Sequence, residues 1–113
     1  MNLRLSGIVG ESQQSWLLER SPTRAGRSSS NGMQILDPTV SKEHAEFTYD
    51  KGRWSVCDLG TRNGTRVNGR VAEKATPLLV GDMLEIGRVM LRNSCGRAAQ
   101  ISTRSAWLWW LAK

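Results

Sequence analysis

Cysteine, long apolar runs and metal-ligand clusters are scarce in this chain of 113 residues, and each scarcity excludes a class of protein. With only two cysteines and no recognisable signal peptide, we expect no disulfide, a reducing cytoplasmic setting, and Cys57 buried as a small apolar residue. No run approaches the roughly 18 apolar residues that a membrane-spanning helix needs. The single histidine, His44, has no partner at metal-ligand spacing, so we expect no metal site.

Patterns typical of catalysis are missing as well. Ser41 and His44 lie three positions apart, but no predicted helix holds them on one face and no third group is evident. The segment 26–32 is flanked by glycines, yet it lacks the lysine and the following helix of a nucleotide-binding loop. We therefore expect no enzymatic activity, no catalytic residue and no cofactor.

Positive charge is present but unevenly spread. The net charge is +6, and half of it belongs to residues 94–113, which carry Arg97, Arg104 and Lys113 and no acid. The rest of the chain is only mildly basic, whereas duplex binding usually needs a concentrated basic face. A basic nucleic-acid-binding β domain therefore stays a weak alternative, supported mainly by Arg62, Arg66 and Arg70.

Short segments of alternating apolar and polar residues dominate the chain up to residue 93. They recur every 6–12 residues, and turn sequences separate them, among them 11–14, 50–52 and 68–69. No convincing helix precedes residue 94. This pattern predicts an all-β antiparallel sandwich of roughly ten short strands.

Two regions follow from this pattern. Residues 1–93 form the predicted domain, and residues 94–113 form a basic, Trp-rich C-terminal tail or the start of a linker. The apolar run Trp107–Leu111 either folds back over the sandwich, begins a longer segment, or touches a membrane surface, since tryptophan favours the lipid interface and Arg104 and Lys113 suit anionic lipid.

Three loop sequences between predicted strands carry groups that hold a phosphate. Arginine, serine, threonine, asparagine and exposed backbone N–H groups are typical ligands of a tetrahedral dianion. Taken singly, each motif has an ordinary explanation, since Arg after Gly is usually a solvated charge and Asn-Gly is turn chemistry. The three motifs are Gly26-Arg27-Ser28, Ser41-Lys42-Glu43-His44 and Asn63-Gly64-Thr65-Arg66-Val67-Asn68-Gly69.

In this order and spacing, the three motifs closely resemble those of the forkhead-associated (FHA) domain over about residues 3–91. The resemblance implies a sandwich of about eleven strands with a phosphothreonine-peptide site on the loops at one end. It implies that Gly26 ends a strand tightly and that Arg27 binds two phosphate oxygens. Ser41 would donate its hydroxyl, Lys42 its backbone N–H and ammonium, and Arg62 a further phosphate contact.

The same resemblance assigns supporting roles. Asn63 would bind the peptide main chain, His44 would brace the Ser41 loop, and Gly64 and Thr65 would shape the turn beside the phosphothreonine methyl group. Asn68 would form a hairpin turn and a secondary ligand contact. Thr39 stands where the family helps to select the third residue after the phosphothreonine, and, being neither Arg nor large and apolar, it predicts no strict Asp or aliphatic requirement.

The partner implied is a threonine-phosphorylated protein or peptide, such as a Ser/Thr kinase or its substrate. The alternative within the same fold is a scaffold that binds partners without phosphate, as secretion-apparatus relatives do. Retention of Arg27, Ser41 and Asn63 together argues against this alternative, because a purely structural domain does not need that set.

Overall fold

The computed structural model describes residues 2–94, and regular secondary structure in that part of the chain consists of β-strands. Alternating apolar and polar residues favour strands because successive side chains point to opposite faces of a sheet. In chain order the strands are β1 (Leu3–Val9), β2 (Ser12–Leu18), β3 (Thr23–Gly26), β4 (Met33–Gln34), β5 (Ala45–Asp50), β6 (Arg53–Asp58), β7 (Thr65–Val67), β8 (Arg70–Val71), β9 (Thr76–Pro77), β10 (Met83–Ile86) and β11 (Val89–Asn93). The predicted all-β class with about eleven short strands is confirmed.

The strands form two sheets. One has six strands in the order β2-β1-β11-β10-β7-β8, and the other has five in the order β4-β3-β5-β6-β9. Neighbouring strands are antiparallel except β3 and β4, which pair in parallel with Ala25 opposite Met33 and Gly26 opposite Gln34. This parallel edge pair, which the sequence pattern did not indicate, arises because the loop after Gly26 brings the chain back to run in the same direction.

The core lies between the two sheets. Alternate residues of the long strands face inward, so that Leu5, Phe47, Val56, Leu84 and Ile86 are fully buried. Burying a side chain of this size contributes about 1.5–3 kcal/mol. The paired inner faces therefore supply the main stabilising term and hold the strand ends in fixed positions.

Two predicted hairpins are confirmed, and two local predictions are wrong. Residues 51–52 and 68–69 turn with positive φ at both positions, the geometry that closes a two-residue hairpin. The segment 11–14 is not a turn, because β2 begins at Ser12 and pairs with β1 up to Val9. Cys57 is a free thiol that is half-exposed and not buried, because it alternates with the inward-facing Val56.

Four connections meet at one end of the sandwich, and we call residues 27–32, 35–44, 59–64 and 87–88 the loop cluster. Backbone hydrogen bonds join them: the N–H of Leu59 donates to the carbonyl of His44 (2.9 Å) and that of Gly87 to the carbonyl of Gly64 (3.2 Å). Within residues 2–94, no helix has the length and hydrophobicity to cross a membrane. The predictions for the tail beyond Ser94 lie outside the described residues.

Candidate functional site

The loop after β3 and the loop before β5 are joined directly through their backbones. The N–H of Arg27 donates to the carbonyl of Ser41 (2.9 Å), and the N–H of Ser28 donates to the carbonyl of Lys42 (3.2 Å). A β-carbon at Gly26 would overlap the Lys42 carbonyl oxygen, so only glycine permits this approach. The sequence therefore places Arg27, Ser41 and Lys42 next to each other although they are up to fifteen positions apart.

The guanidinium of Arg27 is held against the second loop. Its Nε–H donates to the carbonyl of Val40 (2.9 Å), which orients the group and leaves the terminal N–H donors for a ligand. Among residues 2–94, none of Arg27, Lys42 and Arg62 forms an ion pair. This end of the domain therefore carries three cationic side chains that no described carboxylate neutralises.

His44 connects two loops from beneath. The ring is fully buried, its Nδ1 accepts a hydrogen bond from the Ser41 N–H (2.9 Å), and its Nε2 lies 2.8 Å from the carbonyl oxygen of Gly64. Since Nδ1 accepts from the Ser41 N–H, Nε2 is the donor to the Gly64 carbonyl, and the two ring nitrogens together satisfy both neighbours. Gly64 has φ of 81°, which favours glycine at this contact.

Asp58 organises the loop from 59 to 64. Its carboxylate accepts hydrogen bonds from the N–H and hydroxyl of Thr61 (2.8 and 2.7 Å) and from the hydroxyl of the buried Thr65 (2.7 Å). Burial works to raise the pKa of Asp58, but the hydrogen bonds from Thr61 and Thr65 outweigh it, so the pKa is lowered. The ionised carboxylate thus fixes the turn that presents Asn63.

Asp37 plays a similar part in the neighbouring loop. It accepts hydrogen bonds from the N–H and hydroxyl of Thr39 (2.9 and 2.6 Å) and from the Nε–H of Arg88 (3.2 Å). Burial works to raise its pKa, but the contacts with Thr39 and Arg88 prevail and lower it. The hydroxyl of Thr39 also accepts from the Arg88 N–H (3.0 Å), so it is occupied within the domain. The role of Thr39 in ligand selection stays a prediction.

The two predicted asparagine contacts lie in different places. Asn63 is exposed in the loop cluster, where its Nδ2 donates to the carbonyl of Thr39 (2.7 Å). Asn68 lies at the far end of β7, where its side chain donates to Asp82 (3.0 Å) and accepts from the N–H of Met83 (2.9 Å). Its position and contacts give no support to a ligand contact, and we leave Asn68 out of the proposed site.

Four supporting residues escaped the sequence analysis. Asp37 and Asp58 belong to Asp-x-Thr and Asp-x-x-Thr patterns, whose side-chain turns were a usable signal. Asn31 donates through Nδ2 to the carbonyls of Ser28 (2.8 Å) and Lys42 (2.6 Å). Arg88 is about fifty residues from its partners, so no local pattern could have indicated it.

The arrangement suits a tetrahedral anion. Orientable cations and hydroxyl and amide donors stand on a base whose buried polar groups are already hydrogen-bonded, so a ligand need not order them. Within the part of the chain that the structure describes, no group of three His, Cys, Asp or Glu residues has the geometry of a metal site. The loop cluster thus offers hydrogen-bond donors and positive charge to an anionic group.

The fold and the loop cluster define a small β-sandwich binding domain. A profile of the FHA domain matches residues 23–87, and the chain belongs to the FHA domain family. The strands β1 and β2 precede this match and complete the six-stranded sheet.

Curated relatives and solved structures agree. The chain is 39% identical over 84 residues to an oxoglutarate dehydrogenase inhibitor of Corynebacterium efficiens, a match that covers 74% of this chain and 58% of the relative. It is 40% identical over 76 residues to the glycogen accumulation regulator GarA of Mycolicibacterium smegmatis, covering 67% and 48%. The chain thus spans about half the length of these relatives.

One solved structure is the FhaA FHA domain complexed with the intracellular domain of Rv3910. It superposes with a TM-score of 0.71 at 26% identity, covering 80% of this chain and 97% of that one. The predicted fold is confirmed by this likeness.

Proposed function

We propose that this domain binds threonine-phosphorylated segments of partner proteins through the loop cluster. The observation that carries the proposal is the joining of Arg27, Ser41 and Asn63 by hydrogen bonds between their loops, with Arg27, Lys42 and Arg62 free of ion pairs among residues 2–94. Family membership supports the same conclusion, since all three sequence motifs fall within the matched residues 23–87.

Each proposed contact has a distinct task. The terminal N–H groups of Arg27 bind two phosphate oxygens, while the hydroxyl of Ser41 and the ammonium of Lys42 bind others. Arg62 adds charge at the rim. The side chain of Asn63 bonds the peptide main chain and holds it in an extended conformation. Because His44, Asp58 and their partners fix these loops beforehand, binding costs little ordering.

The partner that we propose is a protein phosphorylated on threonine, a kinase or a kinase substrate in the cytoplasm. The complex of the FhaA FHA domain with an intracellular domain supports a protein partner. The relatives named above, an inhibitor and a regulator, support a regulatory role without catalysis.

Membrane contact through Trp107–Leu111 is a separate proposal, tested by co-sedimenting the full chain and a chain ending at residue 96 with anionic vesicles. Equal sedimentation would remove it.

An oriented library of phosphothreonine peptides tests the main proposal. The full chain should retain the phosphorylated library and neither its unphosphorylated counterpart nor single-stranded DNA. Equal retention of both peptide libraries would favour a phosphate-independent scaffold, and preferred retention of DNA would favour a nucleic-acid binder. Either outcome would overturn the proposal.

A further inference from the structure

The outer face of the six-stranded sheet carries an apolar concavity. Strand alternation turns Ile8, Met83 and Met90 outward, and residues Ile8 and Met90 are 64% and 46% exposed. Large apolar side chains grouped on an exposed face typically mark an interaction surface. This outer concavity has a volume of about 550 Å³ and is lined by Ser6, Gly7, Ile8, Gln13, Met83, Arg88, Met90 and Arg92.

The charge of the outer concavity has one sign. Two arginines line it and no carboxylate does. Arg92 forms no ion pair within residues 2–94, and Arg88 is paired only through Nε, with Asp37. On the same face, Glu85 of β10 lies between Met90 of β11 and Arg66 of β7, and it does not line the outer concavity. An occupant with carboxylates would therefore complement this surface.

The outer concavity is continuous with the loop cluster through Arg88. The N–H of this residue donates to Thr39 in the loop that carries Ser41, while its side chain lines the concavity. From Arg88, strand β11 runs away from the loop cluster, and at about 3.4 Å per residue Arg92 lies about 14 Å along it. An extended peptide covers that length with about four residues.

We propose that the outer concavity binds a second segment of the phosphorylated partner, one that combines acidic and large apolar side chains. This inference rests on the proposed function, because the phosphothreonine brings the segment to Arg88. Acidic side chains of the segment meet Arg88 and Arg92, and its apolar side chains cover Ile8, Met83 and Met90. Such a contact adds specificity that the phosphate itself does not supply.

Charge disfavours the other occupants. A second copy of the chain would bring the same two arginines to the contact. Residues 94–113 carry three basic residues and no acid, so they would also place like charge there. Like charges facing each other at an interface cost free energy, whereas an acidic segment gains it.

Two phosphothreonine peptide libraries test the proposal. One has about three degenerate residues on each side of the phosphothreonine, too few to reach Arg92, and the other has about ten, which is enough at the rise of an extended chain. On the longer library, the full chain should enrich Asp and Glu together with Leu, Ile, Met or Phe beyond about four residues from the phosphothreonine. Arg92→Glu should reduce the acidic enrichment at least about fivefold. Met90→Glu should abolish the apolar enrichment. Arg53→Glu, the same charge reversal at the β5–β6 hairpin, should change neither.

The shorter library separates the two proposals. Wild type, Arg92→Glu and Met90→Glu should retain it equally, which also shows that the variants fold. Retention of the short library without distal enrichment on the long one overturns this inference and leaves the proposed function standing. Loss of phosphate dependence on both libraries overturns the proposed function.

Two further outcomes would also contradict the acidic segment. If distal enrichment appears only in a chain shortened to residues 1–94, which keeps the eleven described strands, the C-terminal tail and not the partner segment occupies the outer concavity of the full chain. If sedimentation reveals a dimer that Arg92→Glu dissociates, a second copy occupies it.

Discussion

Asn63-Gly64 and Asn68-Gly69 are identical dipeptides five positions apart, and the fold uses them in opposite ways. In the first, the Asn63 side chain reaches 24 positions back to the carbonyl of Thr39 and joins two loops of the candidate site. In the second, Asn68 has φ of 52°, its Nδ2 donates to the carboxylate of Asp82, and its Oδ1 accepts from the N–H of Met83. We therefore propose that the first turn serves recognition, whereas the second stabilises the fold.

The neighbours of each turn explain the difference. Asn63-Gly64 stands over the buried His44 and the half-buried Asp58, which fix its backbone and leave the asparagine side chain near the surface. Asn68 instead closes a hairpin whose strands continue directly on both sides. An Asn-Gly dipeptide therefore indicates a turn. Only the surrounding packing decides whether the asparagine side chain is exposed to a ligand or hydrogen-bonded within the fold.

The largest effect is expected from substitution of His44, which contacts the Asn63-Gly64 turn but not the Asn68-Gly69 turn. His44→Ala should leave the N–H of Ser41 and the carbonyl of Gly64 without their partner, at a cost of about 2–4 kcal/mol in the free energy of unfolding. Phosphopeptide affinity should fall with it, because both loops lose their common support. Urea unfolding and fluorescence anisotropy measure the two effects, and an unchanged stability would contradict the role of His44 as a brace.

Low pH should lower the stability of the loops that surround the Asn63-Gly64 turn, because two carboxylates hold these loops. The folded-state pKa values of Asp37 and Asp58 lie below the ordinary value of 3.8, so their ionised forms stabilise the fold at neutral pH. That contribution should be lost as the pH falls below 3.8 through the folded-state pKa. Unfolding measured across this range should therefore show declining stability, and Asp58→Asn should be less stable at pH 7 and less sensitive to acid. A steeper acid dependence in the variant would contradict this account.

Asn68→Ala should damage the fold and spare binding. It removes two hydrogen bonds and places alanine at positive φ, so the free energy of unfolding should fall by about 1–2 kcal/mol. At a temperature where the variant is fully folded, its phosphopeptide affinity should equal that of wild type by anisotropy. A clear loss of affinity in the folded variant would restore Asn68 to the site.

Asn63→Ala should show the reverse pattern. It removes the proposed main-chain contact to the peptide, so affinity should fall about five- to tenfold, as expected for one or two hydrogen bonds. Its exposed bond to Thr39 should matter little for stability, by less than about 1 kcal/mol. If Asn63→Ala and Asn68→Ala cannot be told apart by these two measurements, the contrast between the turns fails.

The smallest effect concerns the ligand itself. Phosphothreonine should bind more tightly than phosphoserine in the same peptide, because one buried methyl group beside the Asn63-Gly64 turn contributes about 0.8 kcal/mol, or about fourfold in affinity. The preference should keep its direction at every salt concentration, since both ligands carry the same charge. Equal dissociation constants for the matched peptides would contradict the prediction that a niche in the site buries the phosphothreonine methyl group.

The sequence predicted much of the fold because alternation and turn residues act locally. It placed most strands and the two-residue hairpin turns at 51–52 and 68–69, and its motifs contain Arg27, Ser41, Lys42 and Asn63, which the loop cluster brings together. It did not predict the parallel pairing of β4, since that depends on the path of the loop after Gly26. It also missed the partnership of Arg88 with Asp37 and Thr39, because contacts across fifty residues leave no local pattern.

The central claim is that the loop cluster binds phosphate through Arg27. Calorimetric titration with the best peptide from the phosphothreonine library should show at least a tenfold loss of affinity for Arg27→Ala, from hydrogen bonds of about 1.5–3 kcal/mol each. Ser41→Ala should lose less, and Arg53→Ala, which removes the same charge at the β5–β6 hairpin, should bind like wild type. Equal affinities of Arg27→Ala and wild type would contradict the account.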